Sequence, residues 1–286
     1  MNDKKSVDAI LEGISSAKST PYKGLGFKSD WELIQGYFFL LDVSSHLVAP
    51  LQLLEVALRN NMHKAIASHT GKAQWYKTVP ISPISQRQVN EAIKNAKKEL
   101  GRTGTEGDVV ARLMMGFWIF MLDVPYRTTG TPNYIWQKNV FDSVFPGTTG
   151  ESIKTIFDEL AALNKLRNRL FHHEPIWKAA GVHDMKGALA RIAFQHARAL
   201  KVLQWISPEK HAAVVGLKLK ERFDVACSIS KFIPTPSAEE AKAAEEAKAA
   251  EEAKAAEEAK AAEEAKAAEE AKAAEELKGA ERQAGQ

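Results

Sequence analysis

From Glu239 the chain repeats Glu-Glu-Ala-Lys-Ala-Ala six times, then ends in a degenerate copy and a short polar stub. Such a segment has no large apolar side chains from which to build a core, so the fold must be made upstream. A period of six does not match 3.6 residues per turn. The charges therefore wind around any helix that forms and leave no apolar stripe, which argues against a coiled coil. Alanine, glutamate and lysine are strong helix formers. The first Glu of each unit has a Lys three residues on, an arrangement that supports a solvated helix. The expectation is a semi-rigid rod, about 60 Å long if roughly 40 residues are helical, with a disordered tail as the alternative.

The repeat also hides the charge of the rest. The tail carries 15 Glu against 8 Lys and Arg, a net −7, while the whole chain is +3, which leaves +10 on residues 1–238. A basic body favours polyanions, nucleic acid first and anionic membrane second. The bland alternative is a soluble protein with surplus surface lysines. Cys227 is the one cysteine, so neither an internal disulfide nor a thiolate metal site can be built. This fits a cytoplasmic location. The start, Met-Asn-Asp-Lys-Lys-Ser-Val-Asp, lacks the apolar centre of a signal peptide. The longest apolar run, Leu113 to Leu122 with Gly116 inside it, is about half of what a bilayer needs. It reads as a buried core helix, and no membrane association is expected.

The spacing of apolar residues predicts an all-α fold. Residues 1–28 read as an N-terminal extension, a short helix followed by the loop Lys23-Gly24-Leu25-Gly26, which lacks the lysine of a phosphate loop. The pattern from Ser29 to His69 is helical, capped by Ser29 or Asp30 and broken in two at Pro50. Thr70-Gly71 ends it, and Val79 to Pro83 is a loop. Further helices are predicted at about 84–100, 107–122, 134–144, 151–173, 184–206 and 208–226. Strand signals are scarce. Residues 29–233 form the helical domain, and 234–286 form the tail.

The helix from about Glu151 carries the chemistry. Ile153, Ile156, Phe157, Leu160, Leu163, Leu166, Leu170 and Phe171 share one face. An advance of about 100° per residue places Arg167 near the middle of that face, where a guanidinium needs a partner. Asn168 and His172, four apart, lie side by side on the flank. Pro175 stops the helix just beyond. Arg169 points to the opposite, solvated face. Upstream, Leu51, Leu54, Leu58, Met62 and Ile66 form an apolar arc. Glu55 projects inside that arc and Arg59 lies at its edge. We expect Glu55 to pair with Arg167 across a helix–helix contact and to be shared with Arg59. A purely structural ion pair is the alternative.

Leu166-Arg167-Asn168-Arg169-Leu170-Phe171-His172-His173-Glu174-Pro175-Ile176-Trp177 resembles the signature of bacterial Abi-like (abortive infection) proteins of the HEPN superfamily, whose mark is Arg, a polar residue and a later His. Leu54-Glu55-Val56-Ala57-Leu58-Arg59-Asn60 is similar to the Glu-x3-Arg-Asn segment of that family's upstream helix. Gly116-Phe117-Trp118, Trp136 and Phe145-Pro146 are similar to its aromatic landmarks. The resemblance spans about residues 30–206 and leaves out the tail.

It implies a HEPN-like bundle that cleaves RNA without a metal or other cofactor, at a cleft shared by a homodimer. The matched positions are Arg167, Asn168 and His172, with Glu55, Arg59, Asn60, His173 and Glu174 in support. The chemistry is compatible with those residues. Attack by a ribose 2′-OH needs a proton acceptor, a donor to the leaving oxygen and positive charge at the phosphorane. Histidine as a residue type serves as acid or base near neutrality, and arginine offers a fork matched to phosphate oxygens. The resemblance further implies a phage-defence effector, of abortive-infection or toxin–antitoxin type, with a cognate antitoxin as a candidate partner.

Competing assignments are a non-catalytic RNA- or protein-binding module and a structural adaptor whose working part is the tail. His172-His173-Glu174 lacks the His-Glu-x2-His spacing of a zinc site, and Pro175 disrupts the helix such a site requires. His63, one turn past Arg59, lines the same cleft or the surface. Trp118, Trp136, Trp177 and Trp205 sit among apolar neighbours and read as core rather than as base-stacking platforms.

Overall fold

The structure, a computed structural model, describes residues 3–260. Among the described residues every regular element is helical and no strand occurs. Thirteen α-helices follow in order: α1 (Lys4–Ile14), α2 (Ser16–Lys23), α3 (Asp30–Ser45), α4 (Val48–Thr70), α5 (Pro83–Leu100), α6 (Glu106–Val110), α7 (Met115–Phe120), α8 (Val124–Arg127), α9 (Lys138–Val144), α10 (Ile153–Phe171), α11 (Met185–Ile206), α12 (Pro208–Gly216) and α13 (Leu219–Ala226). Single 3₁₀ turns lie at Trp75–Lys77 and Ile229–Lys231. Residues 238–260, the start of the repeat, are helical and exposed. Within them Lys242, Lys248 and Lys254 each pair with the Glu four residues on. The rest of the expected rod lies outside the described residues.

Helix ends follow local chemistry. Ser29, Ser82, Ser152 and Asp184 each accept a backbone N–H from the first turn of the helix that follows. Gly71 and Gly101 close α4 and α5 in the left-handed conformation that costs glycine nothing. Ser207 ends α11 and caps α12, and Pro208 forbids the two from continuing as one. The break between α3 and α4 falls at His46-Leu47 and not at Pro50, which sits in the first turn of α4, where a missing N–H costs little. Residues 30–70 together have the length and apolar composition of a membrane-crossing helix. In the fold they are these two helices, and Leu40, Val43, Leu51, Leu54 and Leu58 on them are buried in the core.

In the body α4 and α11 pack most extensively, with α9 against α4 and α10 against α11 and α7. Trp75, Phe117 and Trp118 meet edge-on or tilted in the centre. Trp118, Trp136, Trp177 and Trp205 are all buried. The segment read as an extension packs onto the body, with Tyr22 and Leu25 inside the core. At the other end Gln35 of α3 holds Thr235 through three hydrogen bonds of 2.8–3.0 Å, so the tail leaves from a fixed point.

One close approach fixes how α10 enters. The Gly147 N–H donates to the Trp205 carbonyl at 3.0 Å, and a Cβ at Gly147 would lie 2.0 Å from the Gln204 carbonyl oxygen. Backbone cannot swing aside as a side chain can. Gly147→Ala is therefore expected to cost about 2 kcal/mol, read as a fall in Tm of about 4–8 °C. A variant that melts with the parent would show that this approach is loose.

Candidate functional site

The site is built on the last two turns of α10. Ile156, Leu160, Leu163 and Leu166 bury the inner face of this helix. Ile153, Phe157 and Leu170 are half-buried beside them, and Phe171 is exposed. Arg167 therefore sits at the edge of the buried strip, its side chain 31% exposed. Glu55 of α4, 22% exposed, faces it with Oε2 3.5 Å from Arg167 Nε. The expected pair thus spans two helices and remains open to solvent on one side. The contact is electrostatic, because Arg167 Nε is enclosed yet makes no hydrogen bond. The guanidinium lies over the Phe171 ring, 4.7 Å from its centroid, a cation–π contact. One terminal nitrogen donates to Asn168 Oδ1 at 3.5 Å. Arg167 is thus held on a face and two edges before any substrate arrives.

Arg59 does not share Glu55. It donates to Asn60 Oδ1 at 3.3 Å and to the Ala111 carbonyl at 3.5 Å, just past α6. His63 is neither in the cleft nor a free surface histidine. Its Nδ1 accepts the Trp75 indole N–H at 3.1 Å, and burial pulls its pKa below the ordinary value.

Asn168 and His172 are exposed. His172 is the capping residue of α10, and its N–H donates to the Asn168 carbonyl at 2.9 Å. Among the described residues no hydrogen bond or ion pair holds its imidazole. The helix then stops in a Schellman turn. The Glu174 N–H donates to the Arg169 carbonyl at 2.8 Å, and the His173 N–H to that of Leu170 at 3.1 Å. His173 takes the left-handed position with φ 56°, a place usually given to glycine because Cβ crowds it. His173→Gly is expected to stabilise the protein by about 1 kcal/mol, less the entropy glycine adds to the unfolded chain, a gain of about 2–4 °C in Tm. A lower Tm would mean that the imidazole itself supports the turn.

Two cations at this turn correct or extend the sequence expectations. Arg169 keeps a third of its side chain exposed but is not free in solvent. It turns back over the chain after the helix, donates to the carbonyls of Pro175 and Lys178, and lies 3.7 Å from Glu174. Pro175 makes the chain double back, so carbonyls that a continuing helix would have carried away come within reach of this guanidinium. Lys18 of α2 donates to the carbonyls of His172 and His173 at 2.8 and 3.0 Å. It neutralises the exposed carbonyls of a helix C-terminus and ties the N-terminal helices to the motif. An isolated lysine some 150 residues away carries no sequence signal for this.

The geometry therefore brings Glu55, Arg167, Asn168 and Phe171 together and sets His172 one turn beyond them on an open flank. Asn60 and Arg59 face a neighbouring surface, and Glu174 and His173 belong to the turn. The described part of the protein is an all-helical domain in which two helices share an open acid–base pair. No family model, curated protein or solved structure matches the chain.

Proposed function

We propose that the protein is a HEPN-type ribonuclease of the Abi-like kind, with Arg167, Asn168 and His172 as its reacting set. The observation that carries this reading is the placement of the Arg167–Glu55 pair. The pair is partly exposed, and an exposed imidazole ends the same helix five residues on. The +10 body supplies the attraction for a polyanion.

In the proposed reaction an imidazole takes the proton of a ribose 2′-OH as its oxygen forms a bond to phosphorus. The bond from phosphorus to the 5′-oxygen breaks, and a second imidazole protonates that oxygen. Arg167 bears the charge gathering on the phosphorane, and Asn168 donates to a phosphate oxygen. One protomer has one such histidine. Two copies related by a two-fold axis would set two arginines and two histidines around one phosphate, so the reading includes a homodimer. The role it suits is that of a cytoplasmic effector of phage defence, restrained by a cognate antitoxin.

A second reading has an observation of its own. The His172 ring has no partner to orient it, and Arg167 is already engaged by Glu55. A non-catalytic RNA- or protein-binding module needs neither group poised. Incubating the purified protein with total RNA in EDTA separates the two. The nuclease yields fragments with 2′,3′-cyclic phosphate and 5′-OH ends. Intact RNA in EDTA would remove the proposal in favour of the binding module, and ends bearing a 5′-phosphate that appear only when magnesium replaces EDTA would remove it in favour of metal-dependent chemistry.

A further inference from the structure

We infer that the cavity behind the α10 turn is a base-recognition subsite, and that the base it takes is guanine. The inference rests on the RNA-cleavage reading for its biological sense but not for its test. The cavity has a volume of about 130 Å³ and lies between α2, α3 and the end of α10. Tyr22, Tyr37, Leu41 and Leu170 give it apolar and aromatic walls. The two tyrosine rings stand 5.0 Å apart at 54°. Tyr22 is buried and backed edge-on by Trp177, while Tyr37 is half-exposed at the mouth. Unstacked bases of single-stranded RNA are read in this way, by stacking on aromatic rings and by hydrogen bonds along their edges.

The polar groups at its rim decide which base. Lys18 and Glu174 face the cavity together with His173. The backbone N–H of Glu174 is tied to the Arg169 carbonyl, and its carboxylate is steadied by Arg169 at 3.7 Å while half its surface stays open. Arg169 is itself pinned by Pro175 and Lys178. A carboxylate accepts best from two adjacent donors, and of the four RNA bases only guanine presents such a pair, N1–H and the N2 amino group. The Lys18 ammonium offers the matching donor to the guanine O6. It already donates to the carbonyls of His172 and His173, so the subsite and the reacting turn share one anchor.

The test uses the full chain and the four nucleoside 3′-monophosphates, titrated calorimetrically in EDTA. The guanosine nucleotide is expected to bind at least about tenfold more tightly than the others, the discrimination of one good bidentate pair. Glu174→Gln should collapse that preference, and Tyr37→Ala should weaken all four alike. His172→Ala should keep the preference. Equal binding of the four, no binding of any, or a preference that survives Glu174→Gln would overturn the inference. Circular dichroism melts confirm that each variant folds. Guanine-selective binding without RNA cleavage would leave the subsite standing and sink the nuclease. RNA cleavage without base preference would do the reverse.

Discussion

Replacing His172 by alanine is expected to lower RNA cleavage by about 10²–10⁴-fold, the usual weight of one general acid or base, and to leave the melting temperature unchanged. The two halves of this expectation have separate causes. The imidazole is exposed, and the bonds of His172 to the rest of the fold run through its backbone. Removing the ring takes away no packing, and an exposed substitution of this kind stays within about 0.5 kcal/mol. Arg167→Ala should remove activity as well, but at a cost of about 1 kcal/mol, because it strips Glu55 of its partner and uncovers Phe171. Arg167→Lys is the sharper variant. It keeps the charge beside Glu55 but loses the fork that fits phosphate and the flat face over Phe171. It should fold like the parent and cleave poorly. If His172→Ala cleaves within tenfold of wild type, the activity resides elsewhere.

Much of this site is legible in the sequence for one reason. An ionisable residue within or beside an apolar arc seeks a counterpart, and the chain offers Arg167, expected mid-face but found at the edge of one such arc, and Glu55 on another. The pair forms at 3.5 Å. The third member, Arg59, sits at the edge of its arc, where Asn60 Oδ1 and the Ala111 carbonyl hold it instead. The helix bearing the motif is expected over 151–173 and found over Ile153–Phe171, bounded by a serine cap and the turn before Pro175. The stretch 107–122 reads as one helix and is two, α6 and α7, parted at Ala111–Met114, so the apolar run from Leu113 to Leu122 holds α7 alone. No glycine or proline marks that break, which a local side-chain bond stabilises: the Trp118 indole, five residues on, donates to the freed Leu113 carbonyl at 3.2 Å. The 208–226 stretch divides likewise at Leu217-Lys218, where Lys218 adopts φ 60°. Lys18 and the Arg169 fold-back are products of tertiary packing, and no local pattern announces them.

The protein should also lose stability on mild acidification, most of all through a buried histidine that no motif marks, with His63, whose pKa burial also lowers, adding in the same direction. His196 of α11 is 2% exposed and stacks on Phe223 of α13, with ring centroids 3.8 Å apart and planes 8° off parallel. Burial pulls its pKa from 6.5 down to about 4; Asp224 opposes the shift, while Lys220 and His46 add to it. The folded state therefore binds its proton later than the unfolded chain does. Above pH 6.5 both states hold a neutral ring, and the stability is intact. As pH falls below 6.5 the unfolded chain takes up the proton first, and the loss grows until the folded form also protonates near pH 4. At about 1.4 kcal/mol per unit the full loss is roughly 3 kcal/mol, and about 2 kcal/mol of it is gone by pH 5. Acidic residues with lowered pKa, such as Asp108 under the Thr105 N–H, lose their contribution only at lower pH, so this window belongs to the buried histidines, and the His196 share is read from a variant that lacks its imidazole. Urea unfolding at pH 7 and pH 5 measures it. His196→Phe keeps an aromatic ring against Phe223 and has nothing to titrate, so its stability should fall by about 2 kcal/mol less than that of wild type between the two values. Equal losses would mean that the imidazole gains its proton inside the fold without penalty, and that α11 and α13 part more readily than their stacked rings imply.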